Sequence, residues 1–119
     1  MYIPYRSLYI LYILDYDAVF TIKNIYTFTE DVVDWDGLGL QLGVSHSRLK
    51  KIRRENMTED ERRRDMIFTW MNSDPEASWE KLAGALTKVS YRILATKIIN
   101  QVLPLLQGTL AVTVPDIGT

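Results

Sequence analysis

The apolar residues in the last third of the chain recur at helical spacing. Behind Ser78, which suits a helix N-cap, apolar side chains stand at i, i+3, i+4 and i+7: Trp79, Leu82, Ala83 and Leu86. A second apolar stripe follows Ser90: Tyr91, Leu94, Ala95, Ile98, Ile99 and Val102. We expect this second helix to end near Pro104, because proline interrupts a helix. The pattern predicts two amphipathic helices.

Capping residues mark the starts of three earlier helices. Asp34 and Ser45 each stand directly before a helical pattern, and Thr58 forms a capping-box pair with Glu61. Gly43 supplies a stop between the first two helices. Apolar residues stand at the positions of these three helices that are expected to face inward: Trp35, Leu38, Leu42, Leu49, Ile52, Met66, Ile67, Trp70 and Met71.

The residues before these helices have an ambiguous pattern. The β-branched and aromatic side chains of residues 18–33 favour a strand by propensity, whereas their spacing also suits a helix face. Thr27 with Glu30, or Thr29 ahead of Glu30, predicts a helix start just before Val32. Propensity alone leaves the choice between strand and helix open.

The first twenty residues are rich in Tyr, Ile and Leu. The uncharged stretch between Arg6 and Asp15 has eight residues, well short of the ~20 that span a bilayer. Asp15 and Asp17 interrupt the apolar region that a secretory signal needs. We expect this segment either to pack on the domain or to leave its aromatic side chains exposed, where they would favour association.

Five helical patterns joined by short connections predict an all-α bundle. We expect a helical domain at residues 18–102, an N-terminal extension of uncertain structure at 1–17 and a short C-terminal tail at 103–119, extended or disordered from Gly108 onward. The three tryptophans lie on three helices and are expected to share one core. The predicted core is Trp35, Leu38, Leu42, Leu49, Ile52, Met66, Trp70, Trp79, Leu82, Leu86, Leu94 and Ile98.

The composition excludes most catalytic chemistry. Among the 119 residues there is no cysteine, which rules out disulfides and thiolate sites, and His46 is the single histidine, which rules out multi-histidine metal sites. Gly37, Gly39 and Gly43 are not followed by the Lys-Ser/Thr pair of a phosphate loop. We therefore predict no enzyme activity and no catalytic, cofactor-binding or metal-ligating residue.

The charged side chains concentrate in the middle of the chain. Residues 30–65 hold 17 of the 29 charged groups, while the net charge of the whole is −1. We predict a basic interaction patch of Arg48, Lys50, Lys51, Arg53 and Arg54. We predict an acidic interaction patch of Glu30, Asp31, Asp34 and Asp36. Opposite patches on one small domain allow the basic helix of one copy to meet the acidic face of the next.

The same stretch, LGLQLGVSHSRLKKIRRE, also has the local order of a helix-turn-helix that binds DNA. Five cations in seven residues would suit phosphate contacts. Acidic residues on both sides of the run would repel a polyanion, so a protein partner is favoured. DNA binding is the alternative function, and a solvated helix face without any partner is the simplest alternative.

Three stretches together resemble a death domain over roughly residues 30–100: DWDGLGLQLGVSHSRLKKI, ERRRDMIFTWMNSDPEASWEKLAGAL and YRILATKI. The resemblance rests on the order and spacing of several short elements: Trp35 with Leu38, Leu42-Gly43-Val44, Ile52, the run from Met66 to Trp70, Ala77-Ser78-Trp79, Leu82, Leu86, and Leu94-Ala95 with Ile98. In the family a first helix precedes the tryptophan, so the mixed pattern of residues 16–33 predicts a first helix that is short, irregular or displaced.

The resemblance implies an antiparallel six-helix bundle of Greek-key-like topology without enzyme activity or cofactor. It implies a cytoplasmic adaptor in signal transduction, of apoptotic or inflammatory type, that forms oligomeric platforms. The implied partners are other death-domain proteins, in homotypic or heterotypic contacts. Neither nucleic acid nor a membrane span is expected.

Overall fold

A computed structural model describes residues 18–106, and all regular structure in that range is helical. Six helices follow one another: α1 Ile22–Phe28, α2 Trp35–Gln41, α3 His46–Glu55, α4 Glu59–Ser73, α5 Trp79–Lys88 and α6 Arg92–Lys97. The last continues directly into a π-helical turn, Ile98–Val102. This confirms the predicted all-α, six-helix architecture. The predicted extension at 1–17 and most of the predicted tail lie outside the described residues.

The helix starts predicted from capping residues are confirmed. The side chains of Asp34, Ser45 and Ser78 each accept a hydrogen bond from the backbone N–H three residues further on, at 3.2 Å in all three cases. Thr58 and Glu61 form the reciprocal capping box. These contacts are local, which is why sequence alone predicts them.

Two glycines allow the turn and the close packing around α2. Gly43 adopts a φ of +93°, a left-handed conformation that ends the helix and that a side chain would strain. At Gly39 a Cβ atom would lie 2.8 Å from Leu49 Cδ2 and 2.9 Å from Met66 Cγ. Gly39 therefore weakens the helix locally but lets α2 approach α3 and α4 closely.

The prediction of a helix start just before Val32 is wrong, because one helix has already ended at Phe28 and the next begins at Trp35. Helix α1 begins behind Thr21, whose side chain accepts from Asn24 N at 3.2 Å. Thr29 is fully buried at the opposite end, where its hydroxyl donates to Ile25 O at 2.7 Å. The threonine that resembled a helix start thus ends one, because its hydroxyl bonds the carbonyl four residues earlier. At seven residues, α1 is short, which is one of the outcomes that the mixed pattern of residues 16–33 predicted.

Pro104 does not end the last helix, contrary to the sequence prediction. Helical backbone continues through residue 106. Directly before Pro104, the N–H of Leu103 bonds Ile98 O, five residues back, instead of four. This wider turn makes room where a proline ring would otherwise clash with the preceding turn, so the chain passes the proline without leaving the helix.

The three tryptophans are buried in one hydrophobic core. Trp35, Trp70 and Trp79 are 2%, 1% and 3% exposed. The ring of Phe20 stands edge-on to Trp70 and Trp79, with ring centres 5.9 and 5.6 Å apart. Of the predicted core residues, Leu94 alone is only partly buried, because it lies at the edge of the core. The tryptophans therefore hold the helices together and are not available as a ligand cage.

Candidate protein-interaction surfaces

Helix α3 separates apolar and basic residues onto two faces. Leu49 and Ile52 are buried against the core, three residues apart. The five cations of the predicted basic patch all lie on the exposed side of the same helix: Arg48, Lys50, Lys51, Arg53 and Arg54. The helical period produces this arrangement, because residues that flank the buried stripe must point to solvent.

Arg53 is committed to contacts within the molecule. Its Nη2 lies 2.8 Å from Asp36 Oδ2, and its guanidinium carbon lies 5.0 Å from the centre of the Trp35 ring. The ion pair joins the predicted basic patch to the predicted acidic patch in one chain. It also fastens α3 to α2, so Arg53 is less available to a partner than its neighbours.

Three cations of α3 form no ion pair within residues 18–106. Lys51 is 3.9 Å from Glu55 on the same helix, a weak and exposed pair. Within residues 18–106, Arg48, Lys50 and Arg54 have no acidic group within ion-pair distance. These three side chains are the part of the basic patch that can bind an external acid without breaking an internal pair.

The predicted acidic patch divides into two parts. Asp34 caps α2 and Asp36 pairs with Arg53, whereas Glu30 and Asp31 are exposed in the turn before α2. Tyr91 holds this turn, since its hydroxyl oxygen accepts from Val33 N at 2.9 Å and from Asp34 N at 3.1 Å. Glu30 and Asp31 are therefore the carboxylates of the patch that remain free of the helix cap and the ion pair.

Asp34 and Asp36 influence each other's protonation. Burial raises the pKa of Asp34, and a hydrogen bond to Asp36 raises that pKa further. Burial alone would raise the pKa of Asp36, but hydrogen bonds from Asp34 and Gly37 N outweigh it, and with Arg53 nearby the pKa of Asp36 lies below its ordinary value. Asp36 is the member of the pair that stays ionised, which suits its bond to Arg53.

A cleft of about 290 Å³ lies along α2 and α3. Its walls combine apolar and charged groups: Asp36, Leu40, His46, Leu49, Lys50 and Arg53. Leu40 is 48% exposed, so its side chain is available to a partner. An apolar floor beside a basic rim suits a polypeptide with apolar and acidic side chains close together.

Sequence reasoning missed the role of Arg63. This arginine is only 3% exposed; its Nη1 bonds Asp60 Oδ1 at 2.6 Å and its Nη2 donates to Tyr26 O at 3.0 Å. It ties α1 to α4 and is structural. One signal was available, because Arg63 occupies the first position of the i, i+3, i+4, i+7 stripe that continues with Met66, Ile67 and Trp70.

Residues 18–106 provide neither a membrane-spanning helix nor a cluster of metal-binding side chains. No helix in that range is both long and apolar enough to cross a membrane. The same residues contain no group of three or more His, Asp or Glu side chains that could hold a metal ion. The candidate surfaces are thus the basic face of α3 with its cleft, and the acidic turn before α2.

A comparison with family models matches residues 22–102 to the model described as Death domain. The matched range begins with α1 and ends with the π-helical turn after α6. No curated protein and no solved structure matches the chain.

Proposed function

The chain belongs to the death domain family, which implies protein–protein interaction in signalling, and we propose that it is an adaptor whose α3 binds other death domains. The observation that supports α3 is its set of cations beside the cleft between α2 and α3 that have no ion pair in the described part of the chain: Arg48, Lys50 and Arg54. In this proposal the module acts without enzyme activity, in the cytoplasm, within apoptotic or inflammatory signalling.

The proposed partner surface is acidic. In homotypic assembly, Glu30 and Asp31 in the turn before α2 of one copy face α3 of the next. Each exposed charge pair contributes little to the free energy of association, typically ~0.2–1 kcal/mol. Affinity then comes from several copies engaged at once. Assembly of this kind weakens as the salt concentration rises, because salt screens exposed charges.

A charge reversal that spares Arg53 tests the proposal. Lys50→Glu with Arg54→Glu should abolish self-association and partner recovery while the thermal midpoint stays nearly unchanged, since neither side chain has an ion pair within residues 18–106. Reversing Arg53 would be a poorer test because it also breaks the contact between α3 and α2. Light scattering across protein concentrations and a pull-down with a defined death-domain partner measure the result.

The matched control reverses two exposed lysines elsewhere. Lys23→Glu with Lys88→Glu changes the net charge by the same amount on α1 and α5, so general electrostatic repulsion would affect both double variants equally. Equal loss of association in the two variants contradicts the assignment to α3. A gel-shift assay on random-sequence duplex DNA at low salt tests the alternative function. Tight, salt-sensitive DNA binding would replace this proposal with the helix-turn-helix alternative.

A further inference from the structure

An apolar groove is separate from the cleft along α2 and α3, because the two share no lining residue. It has a volume of about 300 Å³ and is lined by Phe20, Ala77, Ser78, Trp79, Glu80, Leu103 and Leu106. Phe20, Leu103 and Leu106 are only partly buried although they pack against the core. The groove thus exposes apolar surface between the start of α5 and the helical turns that follow α6.

The chain enters the described fold beside this groove. Trp79, which lines the groove, donates its indole N–H to the backbone oxygen of Ala18 at 2.7 Å. Ala18 is 3% exposed, and Phe20, two residues on, is part of the groove wall. This hydrogen bond therefore holds Ala18, the first described residue, next to the groove.

The sequence immediately upstream is suited to apolar surface. Between Arg6 and Asp15 stand Ser7 and seven large apolar or aromatic residues: Leu8, Tyr9, Ile10, Leu11, Tyr12, Ile13 and Leu14. Leu14 is four residues before Ala18, a reach of at most ~14 Å in a fully extended chain. A tether this short gives the segment a high effective concentration at the groove, so little contact energy is needed for binding.

We propose that residues 8–14 dock in this groove as an intramolecular cover over Phe20, Leu103 and Leu106. The other end of the chain also leaves the described fold at Leu106, but its following residues are Gln107 and Gly108, and beyond them it has only two large apolar side chains, Leu110 and Ile117, and no aromatic one. Larger side chains remove more apolar area from water, which favours the N-terminal segment as the occupant. The proposal is independent of the function proposed for α3.

A spin label placed beside the segment tests the proposal in the full chain. The chain has no cysteine, so Ser7→Cys provides a single attachment site for a nitroxide. The label should strongly broaden the methyl NMR signals of Leu103 and Leu106 and leave those of Leu49 on α3 unaffected. Reducing the nitroxide restores the signals and provides the reference intensity.

The matched control separates docking from simple attachment near Ala18. With the same label, Leu11→Ser together with Ile13→Ser should restore most of the lost intensity, and Ile13→Ser alone should restore part of it. Equal broadening with and without the serines would overturn the proposal, because the tether alone would then explain the effect.

Two further samples distinguish other occupants. In the first, spin-labelled protein is mixed with isotope-enriched protein that carries no spin label, and both carry Lys50→Glu and Arg54→Glu so that assembly through α3 does not contribute. This mixture should show no broadening; broadening there would assign the groove to a second copy and overturn the proposal. A label at Thr119→Cys should broaden Leu103 and Leu106 less than the Ser7 label does. The reverse order would assign the groove to the C-terminal segment instead.

Discussion

Helices α3 and α4 both contain a run of cations, but the two runs differ in how many of their side chains form ion pairs. The arginine run of α4, which is Arg62, Arg63 and Arg64, is fully paired with acids of its own first turn. Arg62 forms an ion pair with Glu59 at 3.6 Å. Asp60 forms ion pairs with both Arg63, at 2.6 Å, and Arg64, at 3.2 Å. In α3 the corresponding upstream positions are Ser45, His46 and Ser47, none of which is acidic.

This difference shows that the context of a basic run matters more than its charge. Acids three and four residues earlier on a helix neutralise a cation locally. Where such acids are missing, a cation either pairs with an acid on another helix, as Arg53 does with Asp36, or has no ion pair within residues 18–106, as is the case for Lys50 and Arg54. The unpaired cations of α3 are therefore better candidates for partner binding than the arginines of α4.

Arg63 is expected to give the largest effect on stability. Arg63→Ala should lower the free energy of unfolding by about 2–4 kcal/mol, because it leaves a cavity and removes the donor to Tyr26 O. Arg64→Ala, the control on the exposed side of the same run, removes an exposed ion pair and a contact with the Tyr26 ring at 5.5 Å, and should cost about 1 kcal/mol or less. Urea titration of both variants measures the difference. Similar losses in the two variants would mean that Arg63 does not join α1 to α4.

Arg53 should show an intermediate effect. Arg53→Ala removes an exposed ion pair and a contact with the Trp35 ring, and should cost about 1 kcal/mol. Arg54→Ala, which has no internal pair in the described part of the chain, should stay within about 0.5 kcal/mol of the parent. The comparison uses thermal unfolding followed by circular dichroism. A loss for Arg54→Ala as large as that for Arg53→Ala would contradict the division of the basic patch.

Sequence patterns predict the parts of this fold that depend on near neighbours. The caps at Asp34, Ser45 and Ser78 each involve groups three residues apart, so their partners are visible in the sequence. The pair of Arg53 and Asp36 joins residues 17 positions apart on different helices. Only the packing of α3 on α2 brings that pair together, so the sequence predicted two separate patches.

The two corrected helix boundaries have the same kind of cause. Thr29 could cap a following helix or close a preceding one, and the complete burial of Ile25 and Thr29 favours α1. Proline generally ends a helix because its ring clashes with the preceding turn, but before Pro104 the π-helical turn removes this clash. Packing of the surrounding bundle settles both choices, and local propensity does not contain that information.

An acidic residue at position 47 of α3, which corresponds to Asp60 of α4, should produce a small gain in stability and a clear loss of binding. In Ser47→Glu, the new carboxylate lies three residues before Lys50 and four before Lys51, and it stands in the first turn of the helix. Both effects favour the fold, by about 0.3–1 kcal/mol.

Because Lys50 would then have a partner on its own helix, α3 should bind acidic surfaces less well although the protein is slightly more stable. Sedimentation velocity at low salt, with Ser47→Gln as a control of similar size and no charge, measures the association. Opposite signs for stability and association would show that local neutralisation, rather than unfolding, removes binding. Undiminished association in Ser47→Glu, with normal stability, would place the binding surface outside the middle of α3.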